Sequence, residues 1–162
     1  MADAELLSVL GARTFYDTFA VYNTDGDMQQ YLAESFNNEQ QTAELLEPGT
    51  LFLIAETEKG AGGYAMLRPG PPPNEIHLSQ PIELVRLYVD KEWLGWGLGP
   101  GLMQACLDES EERGYEHLWL GVWEHNKRAQ AFYRKWKFET FGQHVFYVGT
   151  DAQNDYLMRR RV

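Results

Sequence analysis

Residues 94–101 read Leu-Gly-Trp-Gly-Leu-Gly-Pro-Gly, and this octapeptide restricts the fold more than any other stretch. Before it, Ile82–Val89 is apolar on both faces, the pattern of a central strand covered on each side. After it, Leu98, Leu102, Cys106 and Leu107 recur at helical spacing within 98–113. Four glycines, Gly95, Gly97, Gly99 and Gly101, keep the backbone bare where the strand gives way to the helix. Loop amides and the positive end of the helix dipole therefore face one space, which suits an anion such as a phosphorylated cofactor. A glycine-rich turn selected for tight packing is the other reading, and the loop alone does not separate the two. Pro100 falls in the first helical turn, where a missing N–H is no loss. A dinucleotide fingerprint fails on spacing: counted from Gly95 its third glycine falls at Pro100, and counted from Gly97 at Leu102. That argues against a nicotinamide oxidoreductase. No Gly-Lys-Ser/Thr follows, so the loop is not a Walker A motif either.

The rest of the chain alternates period in a way that predicts a mixed α+β domain over 1–162. Helices are expected over Ala4–Phe19, from Thr24 or Asp25 to about Phe36, and over Gln40–Leu46, the last stopped by Pro48-Gly49. Leu51–Glu56 and Gly62–Leu67 read as an antiparallel pair turning at Lys59-Gly60. Pro69-Gly70-Pro71-Pro72-Pro73 predicts an exposed loop. Gly114 ends the helix that follows the glycine loop. His117–Val122 is a buried strand and Lys127–Lys135 a short helix. Short strands are expected at Phe138–Thr140, Val145–Val148 and Tyr156–Met158, with a turn at Gly149-Thr150-Asp151.

Several function classes are disfavoured. A net charge of −10 argues against nucleic acid and suits a cationic acceptor. No run is long enough to cross a membrane and no signal peptide opens the chain, so no membrane partner is expected. The single cysteine, Cys106, fits a reducing, cytoplasmic setting; it lies on an apolar helix stripe and reads as packing. His77, His117, His125 and His144 lack metal-ligand spacing, so no metal site is expected. Arg159-Arg160-Arg161 reads as a solvated end.

A second motif joins the glycine loop. Asn126-Lys127-Arg128-Ala129-Gln130-Ala131-Phe132-Tyr133 follows a buried strand, and Lys137-Phe138 follows that. With Leu87-Tyr88-Val89 ahead of the loop, this order resembles the GNAT N-acetyltransferases. Gly97 and Gly99 match the family's loop glycines, Asn126 its later Asn and Tyr133 its helix tyrosine. Leu94 stands where the family usually carries Gln or Arg, which removes one polar contact to phosphate. Thr14-Phe15-Tyr16-Asp17-Thr18-Phe19-Ala20, Asp27-Met28, Tyr31-Leu32, Leu120–Glu124 and Gly149-x-Asp151-x-Gln153-x-Asp155-x-x-Met158 resemble the PaiA-like polyamine acetyltransferase branch.

The resemblance implies a GNAT fold: a mixed sheet of six to seven strands flanked by helices, whose central strands splay to hold acyl-CoA. The family's usual N-terminal edge strand is shortened or missing. It implies direct transfer of acetyl from acetyl-CoA to a primary amine, a polyamine such as spermidine or a peptide amine. It implies that Leu87, Tyr88, Val89, Leu94, Gly95, Trp96, Gly97, Leu98, Gly99, Pro100, Asn126 and Tyr133 hold the cofactor. An amide near Val89 would polarise the thioester carbonyl. Tyr133, protonated at neutral pH, would be the acid for the departing thiolate, and Glu83 the base that drains the amine's proton, with Glu124 second. Asp25, Asp27, Glu34, Trp123 and Glu124 would face the acceptor. Each of these acids reads equally as a solvated helix-start, surface or strand-end group. GNAT relatives often pair into homodimers through their C-terminal strands. A non-catalytic CoA-binding domain of the same fold is the alternative.

Overall fold

The computed structural model describes residues 2–74 and 76–162. Its elements run α1 (Ala2–Phe19), α2 (Asp25–Ser35), α3 (Asn38–Leu46), β1 (Leu51–Thr57), β2 (Gly60–Pro69), β3 (Pro81–Val89), α4 (Leu98–Glu112), β4 (His117–Trp123), α5 (Lys127–Lys135), β5 (Glu139–Val148) and β6 (Asp151–Arg161). Single 3₁₀ turns follow α1 and β3. Among the described residues the six strands form one sheet, in the order β1-β2-β3-β4-β6-β5. Every neighbouring pair is antiparallel except β3 and β4, which α4 connects as a crossover.

Local chemistry explains most boundaries. Thr24 caps α2 by accepting from the Asp27 amide at 3.2 Å, and Asn37 caps α3 by accepting from the Gln40 amide at 2.8 Å. Gly114 takes φ +79° past the end of α4, as a helix stop requires. One face of the sheet packs on α4 and α5 through Ile82, Leu84, Leu118, Leu120 and Val122 against Leu102, Met103, Cys106 and Leu107. The other face is covered by α1, α2 and α3, with Phe15, Met28, Phe36 and Val148 in one cluster and Leu7, Leu10 and Tyr64 in another. Cys106 is buried on the α4 side of the sheet, its thiol pushed up to about 12 by burial, so it is inert packing.

The structure corrects four expectations. The strand pieces at 138–140 and 145–148 are one edge strand, β5, kinked by a bulge between Thr140 and Gly142. Its polar residues hid it, because only one face meets protein. The last strand runs the full length of β6, and its polar first half lines a cleft instead of the core. Pro69 is not loop but the last residue of β2, paired with Ile82, and Pro72 of the proline run is buried. Arg160 is not simply solvated: it donates to the Trp136 carbonyl at 2.8 Å. No strand precedes α1 among the described residues.

Candidate active site

Strands β3 and β4 share register only over Pro81–Glu83 and His117–Trp119. Beyond Glu83 and Trp119 they diverge, and a cleft of about 1130 Å³ opens through the sheet between them. One mouth is bounded by the glycine loop and α5. The other is bounded by α1, α2, β5 and β6.

The first mouth is built from backbone. Asp90 caps the 3₁₀ turn at Lys91–Trp93 by accepting from the Glu92 amide at 3.1 Å. Gly95 and Gly97 then adopt φ +86° and +89°, a conformation that disfavours any side chain. Gly97 is the N-cap of α4, and its carbonyl accepts from the Gly101 amide at 3.0 Å. The amides of Gly95, Gly97, Leu98 and Gly99 have no backbone acceptor among the described residues. Pro100, in the first turn, has no N–H to leave over. Uncommitted donors therefore converge at a helix start, the arrangement that receives phosphate. The diphosphate of coenzyme A fits this cradle by donor chemistry, and Gly99 keeps it open.

The unpaired edge of β3 adds donors. The Asp90 amide crosses to the Gly62 carbonyl at 2.9 Å, so alternation sends the amides of Val89 and Leu87 to the cleft edge. A bulge skips Val85 between the pairs Leu67↔Leu84 and Met66↔Arg86. Asn126 caps α5 with Oδ1, which accepts from the Ala129 amide at 3.1 Å. Its Nδ2 makes no hydrogen bond among the described residues. Gln130, 1% exposed, ties β4 to α5 by donating to the carbonyls of Trp123 and Glu124 at 3.0 and 2.8 Å. Tyr133 lines the cleft from α5, and burial pushes its phenol well above the usual range, so it stays protonated.

The second mouth is aromatic and acidic. Trp123 stands 4.8 Å from the Tyr22 ring and 6.0 Å from that of Phe19. Glu83 sits at the closed end of the cleft, 3.3 Å from Arg68. Burial pushes its carboxyl up, and the Arg68 guanidinium opposes that rise. Asp155 on β6 is pushed up to about 6 by burial. Under the cleft, Arg86 pairs with Glu44 through bonds of 2.5 and 2.9 Å.

Leu87, Tyr88, Val89, Leu94, Gly95, Gly97, Gly99, Pro100, Asn126 and Tyr133 thus line one continuous cleft with Glu83 and Trp123. Six expected residues do not. Trp96 points outward, 74% exposed, and its amide is committed to the Trp93 carbonyl. Leu98 packs its side chain toward Gly62, leaving only its amide for a ligand. Glu124 turns aside, within 3.4 Å of Asn154. Asp25 is exposed at the start of α2, and Glu34 is exposed and accepts from Gln30. Asp27 instead clasps the β5–β6 turn, accepting from the Thr150 amide and hydroxyl at 2.7 and 2.8 Å. Conversely, Arg86, His144, Gln153 and Asp155 line the cleft and were not expected there. The period-two spacing of Gln153 and Asp155 was the signal available, since it puts both on one strand face.

A family model for the acetyltransferase (GNAT) family matches residues 13–138. The chain belongs to that family. It is an acetyl-CoA-dependent N-acetyltransferase, so the non-catalytic alternative falls away. It is 32% identical over 151 residues to an N-acetyltransferase in the pepI 3′ region of Lactobacillus delbrueckii subsp. lactis, covering 93% of this chain and 87% of that one. A shorter match, 34% over 76 residues, covers 46% of this chain and 51% of the [ribosomal protein bS18]-alanine N-acetyltransferase of Escherichia coli. In fold, it resembles the PaiA N-acetyltransferase of Thermoplasma acidophilum crystallised with coenzyme A. That likeness has a TM-score of 0.80 at 21% identity, covering 99% of this chain and 94% of that one.

Proposed function

We propose that this acetyltransferase acts on a primary alkylamine, with polyamines such as spermidine as the acceptor class. The observation that carries this reading is that Tyr133 and Glu83 line one cleft, Tyr133 from α5 and Glu83 at its closed end. Acetyl-CoA supplies an acetyl group already activated as a thioester. The amides of Gly95, Gly97, Leu98 and Gly99 hold its diphosphate, and the cleft-edge amides of β3 hold its arm and orient the carbonyl. Asn126 Nδ2 donates to the same arm. An alkylamine has a pKa of about 10.4 and arrives as a cation. Glu83 takes its proton, directly or through water, and the neutral amine attacks. The Tyr133 phenol gives a proton to the departing sulfur and recovers one from the attacking nitrogen. Support for a cationic acceptor comes from the ring walls at the second mouth, from Glu83 and Asp155 within it, and from a net charge of −10.

Thiol release from acetyl-CoA, measured with spermidine, simple alkylamines and an alanine-terminated peptide, tests this. Spermidine should be acetylated with the highest kcat/KM. Tyr133→Phe should lower kcat about 10²-fold or more, in the range of general acid catalysis, while keeping the thermal stabilisation by acetyl-CoA. Equal kcat in both proteins removes Tyr133 as the acid. A preference for the peptide removes the polyamine.

A further inference from the structure

Asp155 moves no proton in the mechanism above, and unlike Asp17 and Glu44, the other cleft carboxylates outside it, it has no Lys or Arg partner among the described residues. It is 9% exposed, lines the cleft, and makes no hydrogen bond or ion pair among the described residues. Its oxygens open onto the cleft, not into the packed core, so they are free to meet a group that enters there. Its direct cross-strand partner is His144 on β5. On β4 its partner is Trp123, and the diagonal neighbour on the same face is Gly121, which lies between Trp119 and Trp123 in the period-two row. A Cβ built on Gly121 would lie 3.3 Å from Asp155 Oδ2 and 3.5 Å from His144 Nε2. Glycine there leaves a gap in a wall of tryptophans, and both heteroatoms border it.

His144 is half-buried, and its imidazole favours the charged forms of both Glu83 and Asp155. It borders the same sheet face as Glu83, whose partner Trp119 is two residues from Gly121, and it still reaches toward solvent. Glu83 has a further problem: once it has taken a proton it must lose it before the next turnover, and Arg68 and Arg86 near it carry no acceptor.

We propose that His144, flanked by Glu83 and Asp155, is the exit through which the proton taken from the amine reaches solvent. This rests on the acetyl-transfer reading above. The steps balance. The ammonium gives a proton to the Glu83 carboxylate, leaving neutral amine and carboxylic acid. Through water in the cleft the acid passes that proton to a free imidazole nitrogen of His144 and is carboxylate again. The imidazolium releases it to water or buffer. The charged and titratable groups facing this route are Glu83 with Arg68 and Arg86 from β3 and β2, Glu124 at the end of β4, Tyr31 from α2, and Asp155 itself. Glu124 works against Asp155 ionising, and His144 works for it.

The test is chemical rescue. In dilute, non-nucleophilic buffer at saturating amine, His144→Asn should lower kcat at least tenfold. Added imidazole should restore it in proportion to concentration, with no effect on wild type. Stabilisation by acetyl-CoA should be unchanged, which controls for folding. Asp155 gives a readout independent of turnover: its carboxyl, followed by ¹³C NMR, should titrate at higher pH in His144→Asn than in wild type. A His144→Asn protein with wild-type kcat in dilute buffer overturns the proposal. So does a loss that imidazole does not repair, or an Asp155 titration that does not move. If wild type transfers acetyl to no amine, the acceptor reading fails, and this one with it.

Discussion

Gly99 separates a phosphate cradle from a merely tight turn. It is the second residue of α4 and has an ordinary helical backbone, unlike Gly97 at φ +89°. A Cβ on Gly99 would come no closer than 3.8 Å to Phe132 and 3.9 Å to Val89, ordinary contact distances. Both neighbours line the cleft, so the methyl would project into it. Alanine in a helix is favoured over glycine by about 0.5–1 kcal/mol. Gly99→Ala should therefore be no less stable than wild type in the absence of ligand. Its methyl would nevertheless hold the diphosphate off the loop amides. One lost hydrogen bond to a charged group is worth about 1.5–3 kcal/mol, so acetyl-CoA should bind about ten- to a hundredfold more weakly. Gly97→Ala should fail differently, because its left-handed backbone makes a side chain cost about 1–2 kcal/mol and the free protein should melt lower. Gly101, with open space around it and outside the cleft, is the control: Gly101→Ala should bind as wild type does. Isothermal titration with acetyl-CoA and melting of the free proteins read both quantities. If Gly99→Ala binds as tightly as wild type, the loop does not work by close backbone approach to an anion.

Two further substitutions test the frame. Glu44→Gln leaves the Arg86 charge buried without its partner and should lower unfolding free energy by about 3–5 kcal/mol, read as a shifted urea midpoint; Glu44→Gln combined with Arg86→Met should recover much of that loss. Asp27 is held ionised by the Thr150 amide, then by the Thr24 and Thr150 hydroxyls, so its carboxyl lies below its usual 3.8. Its contribution is present above about pH 4 and lost as pH falls through the lowered value; the melting-temperature gap between wild type and Asp27→Asn should accordingly close on acidification, and a gap constant with pH would contradict the clasp.

The glycine-loop mouth of the cleft was legible in the sequence because it depends on residues that signal locally. Glycines at 95, 97 and 99 announce bare amides, and Asn126 and Tyr133 fall on a short helix of fixed phase. The acceptor half was not legible in the same way. Its walls come from Phe19, Glu83, Trp123, His144 and Asp155, brought together only when β6 inserts between β4 and β5. No local pattern states that insertion. For the same reason the acids chosen at the start of α2 were misplaced: Asp27 carries the chemistry of a binding residue, but Thr150, 123 positions away, claims it. Strand β5 was broken into pieces because an edge strand at a cleft shows neither alternation nor an apolar run.

The splay itself explains why so much of this chain's binding capacity is backbone. Two parallel central strands that part after three residue pairs leave the N–H and C=O groups of each facing edge without a ladder partner. Such groups cannot be buried unpaired without penalty, so the cleft must stay wet or be filled by something with amides of its own. The pantetheine arm carries two amides and is narrow enough to lie along one strand edge. On the proposed reading, binding it would complete the β3 edge as an added strand does, and would leave the β4 side, opened by Gly121, to the acceptor. Cofactor and amine would then meet from opposite faces of the sheet. On that reading, the gap in hydrogen bonding at the centre of the sheet would be what lets two substrates come together.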